Sequence, residues 1–82
     1  MDIYQADKLM VCTSRHSGLK HTNLRILRNA KGDKVVATDP VGVNEGNWVF
    51  TASGSAARFA AGDFEILTDL TIAGIIDFWD AE

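Results

Sequence analysis

The stretch WVFTASGSAARFAAGD, Trp48 to Asp63, decides the fold. Its opening, WVFTAS, is rich in β-branched and aromatic side chains and reads as a strand with Trp48, Phe50 and Ala52 on one face. The composition then changes: nine of the thirteen residues from Thr51 to Asp63 are Ala, Gly or Ser. Ser55 suits the N-cap of a short helix, Ala56 to Ala61, and Gly62 its termination. Two turns are too few to be stable alone, so packing must hold them. Side chains this small admit a close approach of backbone to backbone. Two settings fit: a tight turn tucked against a barrel, or a crowded symmetry axis where copies of one segment meet.

Outward from this stretch the chain reads as strands and turns. GVNEGN, residues 42–47, is a turn, and VVAT, residues 35–38, is a strand ended by Asp39-Pro40, since proline cannot donate to a ladder. NAKGDK is a turn, and LRILR, residues 24–28, is a strand with Leu24 and Ile26 on one face and Arg25 on the other. SRHSGLKHTN is a polar loop, preceded by a first strand over Ile3 to Thr13. On the other side, LTIAGIIDFW, residues 70–79, is apolar on both faces and suits a central or interface strand. Five short strands and one brief helix predict a mainly β fold, a small five-stranded, OB-like antiparallel β-barrel. Its 82 residues form a single domain, 1–82.

A chain this short buries only about 60% of its unfolded surface. Yet 46% of its residues are hydrophobic, which predicts a subunit interface. A single cysteine, Cys12, excludes an internal disulfide framework and fits a reducing compartment. MDIYQADK at the start lacks the apolar run of a secretory signal, and no apolar run approaches the ~20 residues of a membrane span. The expectation is a soluble cytosolic protein with no membrane partner.

Charge is unevenly spread. Residues 1–34 hold seven cations against three acids, whereas residues 35–82 hold eight acids against one cation, Arg58. Scattered as they are, the cations read as solvated strand and loop faces, or as partners for the acidic face of a neighbouring subunit. A single-strand-binding OB barrel needs aromatics interleaved with cations, and here only Tyr4 lies in the basic portion. Nucleic acid is therefore not expected; a nucleic-acid or adaptor binding module remains the alternative reading. Cys12, His16 and His21 match no zinc spacing and lack a fourth ligand, so no metal is expected. Neither a nucleophile elbow nor a phosphate-binding loop is present, and an isolated Asp77 has no local acid–base partner. These absences argue against an enzyme and against a cofactor.

Gly54-Ser55-Ala56-Ala57-Arg58, with Thr68-Asp69-Leu70-Thr71-Ile72 and Gly74-Ile75-Ile76-Asp77, resembles the vertex proteins of bacterial microcompartment shells, the EutN/CcmL family. The resemblance extends through Asp39-Pro40-Val41-Gly42-Val43, Gly46-Asn47-Trp48-Val49 and Cys12-Thr13-Ser14-Arg15. Within the family the wording is closest to the carboxysome shell peptides of the B group. Ala56 stands where a second serine is usual, and Asn44 where glycine is common.

The resemblance implies a cyclic homopentamer seated at the vertices of an icosahedral carboxysome, in the bacterial cytoplasm, beside hexameric shell proteins. Flat hexagonal tiling closes only when pentagonal units occupy its corners, so the implied function is structural: closing a compartment for carbon dioxide fixation. Ser53, Gly54 and Ser55 would then rim a central hole, either open to small anions or tightly shut. Ala56, Ala57, Arg58, Asp69, Asp77, Phe78 and Trp79 are the expected interface or motif residues. Arg58, alone among acids, is expected to pair with Asp69 or Asp77, within the subunit or across the interface. Trp48 is expected in the core, with Phe78 or Trp79 at subunit contacts.

Overall fold

The alternation of β-branched and apolar residues produces five strands in the computed structural model, which describes residues 1–12 and 14–77. They are β1 Asp2–Met10, β2 Leu24–Arg28, β3 Lys34–Thr38, β4 Trp48–Ser53 and β5 Leu70–Ile75, with helix α1, Ser55–Ala60, between β4 and β5. A single 3-10 turn, Ser17–Leu19, interrupts the loop before β2.

The strands close a barrel in the order β1-β2-β3-β5-β4. Four pairings are antiparallel, and the fifth, β3 with β5, is parallel and rests on one register position, Thr38 opposite Thr71. The expected antiparallel barrel is therefore mixed at its seam. The cause is α1 and the loop that follows it, which return the chain so that β5 enters between β3 and β4.

Several details depart from the sequence reading. Strand β1 stops at Met10, and a bulge between Ala6 and Leu9 puts one extra residue opposite β2. The bulge lies across from Ile26, and it is Leu24 and Leu27, not Ile26, that are buried. Trp48 is not core. It is 39% exposed, whereas Val49 and Thr51 are fully buried, because β4 is turned by one residue relative to the expected face. Finally, α1 begins at Ser55, and its N-cap is Gly54, with no side-chain cap. Gly54 has φ 61° and ψ −140°, a conformation that favours glycine, so the chain changes direction there. The last strand ends at Ile75, and Asp77 lies beyond it, exposed.

The core consists of Ala6, Leu27, Ala37, Val43, Val49 and Ile72, with Tyr4, Val35, Leu70 and Ile75 packed around it. Among the described residues no Phe or Trp sits at its centre. At the β3–β5 seam the buried Thr38 and Thr71 hydroxyls are 2.6 Å apart. Thr71 donates to the Ala57 carbonyl at 2.7 Å, so the proton between the two hydroxyls comes from Thr38. That hydroxyl pair joins seam and helix. On β5, Gly74 lies under the Phe50 ring: a Cβ there would sit 2.5 Å from two ring carbons.

Candidate functional site

The motif residues gather on α1 and its flanks. Ser53, Gly54, Ser55 and Ala56 are all exposed and form the strand-to-helix corner. Among the described residues the corner is held by backbone hydrogen bonds. The Gly54 N–H donates to the Asp69 carbonyl at 3.0 Å, and the Ala57 N–H to the Gly54 carbonyl at 3.1 Å. Ala57 is fully buried against the barrel, so its small side chain serves packing inside the subunit.

Arg58 does not meet Asp69 or Asp77 within the subunit. Its Nη1 donates to the Phe64 carbonyl at 3.4 Å, and its guanidinium carbon lies 5.7 Å from the Phe64 ring centroid. Among the described residues it makes no ion pair. The loop after α1 brings Phe64 against the second helical turn, and ring and carbonyl together hold the guanidinium. Phe64 in turn packs on Phe59, with centroids 4.8 Å apart. Phe59 is 70% exposed, so the pair forms an apolar projection beside the corner. Arg58, Leu67, Thr68 and Asp69 line a cleft next to it. Phe78 and Trp79 lie outside the described residues.

Sequence reasoning passed over a buried charge cluster. Asp39 is 4% exposed, and its carboxylate accepts the N–H groups of Val41, Gly42 and Val43 at 3.1, 2.8 and 3.0 Å. Arg25 Nε lies 3.6 Å from Asp39 Oδ2, and Arg25 Nη1 donates to the Asp7 carbonyl at 2.7 Å. Arg28 Nε lies 3.3 Å from Asp7 Oδ2. The available signal was Asp39 followed by Pro40 and Gly42, a side chain well placed to cap its own turn. Cations expected on solvated faces are thus partly consumed inside the subunit.

Lys20 is consumed as well, at 2.7 Å from Asp63 and 3.7 Å from Glu65. The hydrogen bond to Asp63 raises the Lys20 pKa, and the same bond lowers that of Asp63. Two cations of the first half, Lys20 and Arg25, therefore face acids of the second. His16 Nδ1 accepts the Gly18 N–H at 2.8 Å, a turn-capping role, and Cys12 is exposed. Among the described residues no three metal-ligating side chains cluster. No helix of the described chain is long and apolar enough to cross a membrane.

Barrel, seam and corner together define an OB-like subunit whose short helix carries the conspicuous small-residue motif. The chain belongs to the family described as Ethanolamine utilisation protein EutN/carboxysome, whose model matches residues 1–77. It is similar to the carboxysome shell vertex protein CsoS4B of Prochlorococcus marinus subsp. pastoris, with 71% identity over 88% of this chain and 99% of that protein. The solved structure of CsoS4B from Halothiobacillus neapolitanus superposes with a TM-score of 0.89 at 56% identity, covering 95% of this chain and 100% of that one. GrpN, a pentameric microcompartment shell protein from Rhodospirillum rubrum, superposes with a TM-score of 0.79 at 26% identity, covering 99% and 100%.

Proposed function

We propose that the chain is a structural subunit of a carboxysome shell, forming the pentameric vertices that close it around the machinery of carbon dioxide fixation in the bacterial cytoplasm. The observation that carries this reading is the 71% identity to a shell vertex protein over nearly all of that protein's length. The geometry supports it. Val36, Trp48, Phe59, Phe64 and Leu67 are all exposed on the subunit, apolar side chains that contacts between subunits would cover. Its neighbours in the shell are hexameric shell proteins, and the role requires no covalent chemistry from the subunit. The corner at Ser53, Gly54 and Ser55 rims the five-fold axis.

Native mass spectrometry tests the assembly. A dominant species at five times the 8.9 kDa chain mass, about 45 kDa, is expected. A stable monomer that is retained on single-stranded oligonucleotide at low salt would favour the binding-module reading instead. Mixing the chain with hexameric shell proteins tests the role itself: closed polyhedra are expected with it and open sheets or tubes without it. Replacing Ser55 with Phe tests the rim, since ion flux through closed shells falls if the corner lines a passage.

A further inference from the structure

We propose that His16 is a pH-sensitive latch: its imidazole holds the turn that braces the segment leading into β5, and a proton on Nδ1 releases that segment. The device lies within one subunit and is separate from the closing of a shell.

The latch is a single acceptor. His16 Nδ1 takes the Gly18 N–H at 2.8 Å, and a backbone N–H can only donate, so Nδ1 carries a lone pair and no proton. The cap starts the turn Ser17–Leu19, in which the Leu19 N–H donates to the His16 carbonyl and the Lys20 N–H to the Ser17 carbonyl. One short 3-10 turn has little stability of its own, so its end group matters. With a proton on Nδ1, two N–H groups would face each other across 2.8 Å, and the ring must turn away.

What the turn braces is the approach to β5. The Gly18 carbonyl accepts the Leu67 N–H at 2.7 Å. His16 and Leu67 close over the same side of Gly18: a Cβ there would lie 3.0 Å from Nδ1 and 3.1 Å from the Leu67 Cβ. A ring that leaves therefore opens this side, and the bond to Leu67, to water. The effect reaches further along the chain. Two residues on, the Asp69 carbonyl accepts the Gly54 N–H at the corner before α1, and Leu67 and Asp69 line the cleft with Arg58.

No carboxylate compensates the new charge. Among the described residues His16 makes no ion pair. The titratable and charged groups of its loop are Arg15, Lys20 and His21, and those of the braced segment are Asp63, Glu65 and Asp69. Arg15 is turned to Thr22, whose carbonyl and hydroxyl it reaches at 2.8 and 3.0 Å, and Lys20 is held by Asp63 at 2.7 Å. The Asp63 pKa is lowered from 3.8 and that of Lys20 raised from 10.5, so this tether persists between about pH 5 and 8, where histidine titrates. The loop stays attached at Lys20 while its His16 end opens.

Amide exchange followed by NMR on the full chain tests the latch, as protection factors corrected for the intrinsic pH dependence of exchange. Between about pH 7.5 and about pH 5.5 the Leu67 N–H is expected to lose protection about three- to tenfold, the worth of one hydrogen bond. His16→Asn keeps a side-chain acceptor that does not titrate, so its protection should stay constant. The control His21→Gln should respond as the unsubstituted chain does. Constant protection in the unsubstituted protein, an equal loss in His16→Asn, or loss of the response in His21→Gln would overturn the latch. Ring nitrogen shifts of His16 give a readout that needs no variant. The tautomer with a bare Nδ1 is expected at about pH 7.5, and a proton on Nδ1 there would overturn the proposal.

Discussion

Thr71 donates its hydroxyl proton to the Ala57 carbonyl at 2.7 Å and accepts from Thr38 at 2.6 Å. One side chain thus ties α1 to the seam. Thr71→Val keeps the shape but removes both bonds, leaving the Ala57 carbonyl with the Ala61 N–H at 3.0 Å and the Thr38 hydroxyl with the longer contacts to Thr68 and Leu70 at 3.3 and 3.4 Å; two lost bonds cost about 1–3 kcal/mol. Urea unfolding at matched protein concentration should show that loss, with Thr71→Ser retaining most of the stability. Equal midpoints for valine and threonine would remove the bond from the account.

The Phe50 ring covers Gly74 so closely that any Cβ must displace it. Gly74→Ala should destabilise by roughly 1–3 kcal/mol, the usual cost of overpacking. Phe50→Leu in the same chain relieves the clash, so the double variant should melt above the additive expectation. Strict additivity would show that the two residues do not interact.

Asp39 holds three backbone N–H groups and faces Arg25 from a buried position. Asp39→Asn replaces Oδ2 with a donor, so the Val43 N–H and the Arg25 guanidinium lose their acceptor. Breaking a buried pair on one side costs roughly 3–5 kcal/mol. The exposed control Asp33→Asn should change stability far less, and comparable denaturation midpoints for the two variants would refute the assignment.

Lys20 and Asp63 give a pH dependence of known sign. The Asp63 pKa is lowered from 3.8 by its hydrogen bond with Lys20, so the pair's contribution is complete above 3.8 and disappears as pH falls through the depressed folded value. The Lys20 pKa is raised from 10.5, chiefly by the same bond, so the contribution also disappears as pH rises through the elevated folded value. The pair lies in solvent and its effect is small. Melting curves of wild type and Lys20→Met should differ most at neutral pH and converge at both extremes. A constant difference across the range would exclude the ion pair as its source.

The strands and turns were legible because Gly, Asn, Asp and Pro punctuate them. Which face each strand buries was not. In LRILR, Ile26 and Leu27 are adjacent, so either alternation places an apolar side chain inward, and a bulge on β1 chooses between them. WVFTAS carries apolar residues in both phases, which is why Trp48 rather than Val49 was expected inside. The Arg25–Asp39 contact depends on Leu24 pairing with Thr38, a register that local sequence does not encode. Around α1 the reading went further, because the Gly54–Arg58 and Gly74–Asp77 motifs point to one family. Yet the cap was misplaced by one residue: a Ser beside a Gly reads as a cap, and the backbone sets the turn at Gly54.

Insertion of β5 between β3 and β4 has a consequence for biogenesis. Its pairings join residues more than thirty positions apart on one side, as in Thr38 with Thr71, and β1 pairs with β4 across a longer stretch still, as in Asp2 with Thr51. Such non-local topology folds slowly, on the millisecond-to-second scale. Chains that stop before Leu70 lack the strand that completes the barrel. Recognition between subunits therefore follows the insertion of β5, because only then is the barrel surface complete.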